Sequence, residues 1–253
     1  MAILKTAKEI EIMAEGGQKL AIVLDFLVKA AKAGMKTKEL DNIAFKMIKE
    51  AGCKPAFLDY RPHGTKKGYP ATACISVNEN VVHGIPSGYV IKEGDIVKID
   101  LGLIHKGFYA DAAATVGIGG IGIKNRKLIE ATKRAMELGV KEARPGNTIG
   151  DIGYAIEHHV KSNGFSIVDL LTGHGIGRDL HEEPHVYNFG KKSQGEKLVA
   201  GMVIAIEPMV SIGSGKVIQN KDDSFTMADG SMSAHFENTV AITEKGPVVL
   251  TKT

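Results

Sequence analysis

The stretch from Gly94 to Val116, GDIVKIDLGLIHKGFYADAAATV, restricts the fold more than any other part of the chain. Ile96, Val97, Ile99, Leu101 and Leu103 make its first arm apolar and β-prone. Gly107 supplies the backbone freedom that a short hairpin loop needs. Such an arm has no use for a bare carboxylate, yet Asp100 stands in the middle of it and Asp111 stands in the returning arm. Side chains alternate faces along a strand. A two-residue loop at His105-Lys106 puts Asp100 directly opposite Asp111, whereas a loop at Lys106-Gly107 makes them diagonal neighbours. In either register both carboxylates project from one face, roughly 5 to 8 Å apart. Two carboxylates that close in an apolar sheet repel, and each is costly to bury. A shared proton, a cationic side chain or metal ions would relieve the conflict.

The helices around this hairpin come in pairs. Ile10, Met13, Gly17, Leu20, Val23, Leu24 and Leu27 recur at helical spacing and predict a helix from Thr6 to about Ala33, ended by Gly34. Thr37 is expected to cap a second helix with Leu40, Ile43, Ala44, Met47 and Ile48 on one face. After the hairpin the pattern returns as a helix from Arg126 to about Ala143, then one capped by Thr148 that carries Ile152, Ala155, Ile156 and Val160. Thr37 and Thr148 are each followed by Ala at +7, an apolar residue at +8 and Gly at +15 or +16. This reads as a duplication of helix-helix-strands, offset by about 111 residues. The 253 residues, 43% hydrophobic, are expected to form a single α+β domain, 1–253, with halves near 1–118 and 119–253. Its strands would join in one mixed or antiparallel sheet with the helices on one side. A net charge of +3 without an arginine-rich run does not suggest nucleic acid as a substrate. No apolar stretch is long enough for a transmembrane helix, and there is no signal-peptide pattern. Two cysteines, Cys53 and Cys74, suit a reducing compartment, so a cytoplasmic location is expected.

The second half adds polar residues where they are costly. His174 lies in the glycine-flanked LTGHGIG, and His181 follows. GMVIAIEP is an apolar strand ending in Glu207, and SAHFENTVAIT reads as one strand with Glu237 inside it. Glu237 shares a face with His235 there, and His235 is expected to be a surface or internally satisfied histidine. Asp100, Asp111, His174, Glu207 and Glu237 together offer four carboxylates and an imidazole. Two divalent cations would balance the four charges, and this donor set suits Mn, Fe, Co or Zn. A metal pair activates water and polarises carbonyls, which is hydrolytic chemistry. The glycine-rich GIGGIG at 117–122 reads as a turn.

VNENVVHGIP with His83, GDIVKIDLG, GFYADAAAT, GHGIG, His181, IEP and FENTVAIT occur in order over nearly the whole chain. In these motifs the chain resembles the short, bacterial-type class I methionine aminopeptidases. The resemblance implies the pita-bread fold and a single catalytic domain that removes the initiator methionine from nascent chains. It implies that Asp111 and Glu237 bridge two divalent metals (Co, Mn, Fe, Zn or Ni), that Asp100 holds one of them, and that His174 and Glu207 hold the other. By the same resemblance Glu207 accepts a proton from the attacking water, His181 stabilises the oxyanion and His83 contacts the scissile amide. Tyr69, Cys74 and Phe225, with Leu180 nearby, would form the methionine pocket. The implied partners are N-termini of nascent polypeptides, with transient ribosome association; the protein would be a monomer.

Three departures bear on that pocket. Thr172 stands where bacterial relatives usually have Cys, Leu180 where Phe is common, and Phe225 about where Trp is expected. The segment Arg61–Lys67 is a few residues longer than usual and could alter the rim. Two other readings compete: a prolidase or aminopeptidase P of the same fold, and a binding module that has lost its metals. Intact Asp100, Asp111, His174, Glu207 and Glu237 argue against the second.

Overall fold

Helix α1 (Ala7–Ala30) opens where its sequence requires. Glu9 donates its N–H to Thr6 Oγ1 at 3.3 Å, and Thr6 N–H donates to Glu9 Oε2 at 2.8 Å, closing a capping box. Helix α2 (Thr37–Glu50) begins at the residue expected to cap it. Lys36 is the N-cap, and its N–H donates to Glu39 Oε2 at 2.6 Å. The Thr37 hydroxyl is unavailable for capping because it accepts from Ser87 N–H at 2.9 Å and donates to Ser87 O at 3.2 Å. The computed structural model describes residues 2–61 and 67–252, so the middle of the long segment Arg61–Lys67 lies outside the described residues.

The strands of the first part are β1 (Lys54–Pro55), β2 (Ala73–Val77), β3 (Asn80–Val82), β4 (Ile96–His105) and β5 (Phe108–Gly117). Two helices follow, α3 (Ile123–Glu142) and α4 (Ile149–Ser162). Helix α3 starts nearly a turn before the expected Arg126, while Thr148 caps α4 as expected, its N–H bonded to Asp151 Oδ2 at 2.8 Å. The remaining strands are β6 (Ser166–Ile167), β7 (Gly173–Gly175), β8 (Glu182–Val186), β9 (Val203–Ile206), β10 (Met209–Ser211), β11 (Val217–Gln219), β12 (Phe225–Met227), β13 (Ser233–His235), β14 (Glu237–Thr243) and β15 (Gly246–Val249).

One large antiparallel sheet runs β1-β4-β5-β14-β9-β7-β8, with β2 on β4 and β15 on β14. Two small three-stranded sheets, β13-β10-β6 and β11-β12-β3, adjoin it. The stretch expected as one strand, SAHFENTVAIT, is therefore two: the chain leaves the small sheet at Phe236 and enters the large one at Glu237. Helices α1 and α2 pack Leu20, Leu27, Leu40 and Ile48 against Ile99, Leu101 and Leu103, while α3 and α4 pack Leu128, Ile152 and Ile156 against Ile204 and Ile206. Fully burying each such side chain stabilises the fold by roughly 1.5–3 kcal/mol. Gly17 lets α1 approach the chain end closely, since a Cβ there would lie 2.3 Å from Leu250 O. The result is the pita-bread fold, α+β, in which the described residues place four helices on a curled antiparallel sheet. No helix among the described residues is long and apolar enough to cross a membrane.

The central hairpin turns at Lys106 and Gly107, whose φ values of 49° and 84° are the positive pair that a tight hairpin turn demands. That selects the diagonal register: Asp100 pairs with Ala113, and Gly102 pairs with Asp111.

Candidate metal centre

Strand register alone brings the acidic residues to one face. Ala113 of β5 is paired with Asp100 on one side and with Glu237 on the other, so those two carboxylates flank a methyl group. Asp111 lies two residues before Ala113 and points to the same face. The last β9–β14 pair is Ile206 with Asn238, which carries Glu207 alongside Glu237. His174 arrives on β7, next to β9, with Nε2 3.5 Å from Glu207 Oε1. The Gly175 carbonyl lies 2.9 Å from His174 Nδ1 and accepts its proton, which leaves the Nε2 lone pair free to bind a cation. All five expected ligands thus converge.

Their surroundings do not suit anions. Asp100, Asp111 and Glu237 are buried, and Glu207 nearly so. Burial pushes the Asp111 carboxyl up to about 7. Burial raises Asp100 well above the usual carboxylate range, with the Asp111 charge adding to it. Glu207 and Glu237 are raised by burial first, then by the neighbouring carboxylates. Burial likewise holds His174 neutral by lowering it to about 4. Seven buried side-chain atoms lack a hydrogen-bond partner among the described residues, and five of them are here: Asp100 Oδ1, Asp111 Oδ1, Glu237 Oε1 and both ring nitrogens of His235. Buried polar groups are rarely left unpaired, so this concentration marks a place built for cations. Donor atoms of Asp111, His174 and Glu237 lie within 4.8 Å of one another, as do those of Glu207, His235 and Glu237. Oxygen-rich ligands with a neutral imidazole fit divalent first-row metals.

The cluster forms the floor of a cavity of about 540 Å³. Cys74, paired with Asp100 across β2 and β4, stands in its wall with Leu180 and Tyr69. Tyr69 donates its hydroxyl to Gly84 O at 3.0 Å, and Phe57 meets its ring edge-on at 6.5 Å. Phe225 packs edge-on against His83 at 5.7 Å, and His83 itself holds a positive φ of 59°. His181 follows the bulge between β7 and β8, with its ring 4.4 Å from that of His174. Burial pushes its imidazole down to about 3. Thr172 has its hydroxyl 3.2 Å from His185 Nδ1.

Several residues escaped the sequence reading. Tyr60 Oη lies 2.6 Å from His181 Nδ1, yet it comes from a loop with no periodic signal. Glu182 accepts from Arg178 N–H at 2.8 Å and Asp179 N–H at 3.3 Å, and it forms a buried ion pair with Lys5, so it shapes the turn that carries His181. Lys98, 1% exposed, donates to Asn78 O at 2.6 Å, Ser233 Oγ at 3.2 Å and Ser233 O at 3.3 Å, tying the β2–β3 turn to β13. His235 is neither on the surface nor internally satisfied, contrary to expectation. It is 1% exposed because the break at Phe236 turns β13 under the site, and neither ring nitrogen finds a partner among the described residues.

A curled sheet presenting carboxylates and a neutral imidazole at the base of a cavity defines a metal-dependent hydrolase. Metallopeptidase family M24 matches residues 11–244, and the chain belongs to that family. Within it the similarity is to methionine aminopeptidases. The methionine aminopeptidase of Clostridium perfringens is 46% identical over 99% of both chains. The crystal structure of methionine aminopeptidase from Thermotoga maritima superposes with a TM-score of 0.95 at 39% identity, covering 100% of each chain. The prolidase of Pyrococcus furiosus shares the fold at a TM-score of 0.77 and 25% identity, but this chain covers only 66% of it.

Proposed function

We propose that this protein removes the N-terminal methionine from peptides and nascent chains by metal-assisted hydrolysis. The observation that carries the proposal is the convergence of Asp100, Asp111, His174, Glu207 and Glu237, with unpaired oxygens, on the floor of a cavity walled by Tyr69, Cys74 and Leu180. Asp100, Asp111, His174, Glu207 and Glu237 would hold two divalent ions, with Asp111 and Glu237 available to both, Asp100 to one, and His174 and Glu207 to the other. The bound ions supply Lewis acidity that polarises a carbonyl and acidifies water. Glu207 accepts the proton of the attacking water. His181 donates Nε2–H to the developing oxyanion, because the Tyr60 hydroxyl occupies Nδ1. His83 meets the scissile amide, and Phe225 braces it. The thioether side chain enters the cavity beside Tyr69, Cys74 and Leu180; Phe225, expected in this wall, does not line it and instead packs against His83. One of the departures, Leu180, lies at this wall, and in place of a phenyl ring it leaves more room there. The setting that fits is a cytoplasmic monomer acting on N-termini as they leave the ribosome.

The test is release of free methionine from a Met-Gly-Xaa peptide by metal-stripped protein, before and after adding Mn²⁺, Fe²⁺ or Co²⁺, with a Gly-Pro-Xaa peptide in parallel. Metal-dependent release without Xaa-Pro cleavage is expected. Cleavage of the Xaa-Pro peptide alone would move the protein to the prolidase side of the family. Silence on both, with metal bound, would leave a binding role.

A further inference from the structure

His235 is fixed in place by its backbone. Its N–H donates to Thr115 Oγ1 at 2.9 Å, the Thr115 hydroxyl donates to its carbonyl at 2.6 Å, and it pairs with Met209 between β13 and β10. Its Cα is therefore anchored, and both ring nitrogens are buried without a hydrogen bond among the described residues. Leaving such a group unpaired is costly. The group beside it is Glu207, with Nε2 3.4 Å from Oε2. The other oxygen, Oε1, lies 3.5 Å from His174 Nε2, so the carboxylate stands between two imidazoles. The two are not equivalent. His174 spends its proton on Gly175 O, which leaves Nε2 a lone pair. Nothing fixes the tautomer of His235, so its Nε2 is free to carry a hydrogen toward Oε2. At 3.4 Å the contact is longer than a good hydrogen bond, but a small rotation of the carboxylate closes it, and such contacts tighten when a site is loaded.

We infer that His235 is a positioning residue whose Nε2–H holds Oε2 of Glu207, so that Oε1, on the His174 side, is the oxygen that serves the metal centre and the substrate. This rests on the metal-centre reading above. It extends that reading by giving the ligand and proton acceptor an anchor, a role whose loss typically weakens metal binding 10- to 100-fold in comparable sites. The rival role is direct ligation, since His235, Glu207 and Glu237 donors lie within 4.8 Å of one another.

The experiment titrates metal-stripped parent protein and the variants His235→Gln, His235→Asn and His235→Leu with Co²⁺. Affinity is read by calorimetry, the loaded protein by its visible cobalt spectrum, and folding by thermal melting. Glutamine keeps an N–H within reach of Oε2, whereas asparagine is too short and leucine has none. The expected result is at least 10-fold weaker binding of one cobalt in the Asn and Leu variants, with kcat falling more than KM changes. The Gln variant should recover most of the affinity, and all loaded spectra should keep the parent band shape. If the Leu variant fails to fold, the Gln–Asn difference decides. Equal affinity in all four proteins overturns the inference. A loaded Gln variant whose bands shift as loss of a nitrogen ligand requires would overturn it in favour of direct ligation. Failure of the parent to bind cobalt at all would instead refute the metal-centre reading.

Discussion

Tyr60→Phe removes one oxygen and leaves the ring that packs edge-on against His181 at 5.3 Å. The deleted hydroxyl lies 2.6 Å from His181 Nδ1. Burial raises the phenol above its usual range, so it is a donor at neutral pH. With the phenol donating to Nδ1, the imidazole hydrogen stands on Nε2, the donor that the proposed oxyanion contact needs. A neutral hydrogen bond of this kind contributes a net 0.5–1.5 kcal/mol, which corresponds to roughly a 2- to 12-fold change in rate. The expected result is a fall in kcat of that size for methionine release, with KM little changed. His181→Ala loses the donor itself and should cost about 10²- to 10³-fold. The decisive assay is the double-mutant cycle under saturating metal. With His181 gone, Tyr60→Phe should cost nothing further. An unchanged kcat in the single variant would refute the reasoning. So would the same loss in both backgrounds, because Tyr60 would then act on the substrate and not through His181.

Asp111→Asn should stabilise the metal-stripped protein. A carboxyl raised in the folded state holds its proton more tightly there, so the parent loses stability as pH rises from about 4 through the folded value of about 7. The advantage of the variant should grow over that window by up to about 4 kcal/mol, read from denaturation midpoints; the depressed histidines cancel in the difference. Saturating metal should reverse the order, since the variant loses a ligand. Lys98→Met leaves the carbonyls of Asn78 and Ser233 short of a buried donor and should cost about 1–3 kcal/mol of stability in urea titrations. Lys5→Met removes the cation beside Glu182 where both side chains of the pair are 3% exposed. Loss of one partner from a buried pair costs about 3–5 kcal/mol, and the variant should show faster amide exchange over 177–182 together with reduced kcat.

What the sequence made legible and what it hid divide along a physical line. Strand alternation is local, so the shared face of Asp100 and Asp111 followed from spacing, although the choice between two registers needed the positive φ of Lys106 and Gly107. Helix caps are local too, and Thr148 read correctly. Thr37 did not, because its hydroxyl is engaged by Ser87, fifty residues away. Tyr60, Glu182 and Lys98 act through contacts between segments distant in sequence, which no window reveals. His235 was a mixed case. Its common face with Glu237 was visible, but its burial depends on the turn at Phe236, where an apparently continuous strand passes from one sheet to another.

The same alternation explains how the fold tolerates its own site. Ile99, Leu101 and Leu103 point from β4 into the helix-packed core, each 0% exposed, while Lys98 and Asp100 take the other face. A one-residue slip of β4 would exchange the two sets. It would forfeit about 5–9 kcal/mol of burial from those three side chains alone and would also press Lys98 and Asp100 into the helices. Relief of the burial of the Asp111 carboxylate offers at most about 4 kcal/mol in return. Core burial therefore wins in the absence of metal. The carboxylates are held together by packing on the far side of the sheet, and cations need only fill a site whose geometry is already imposed.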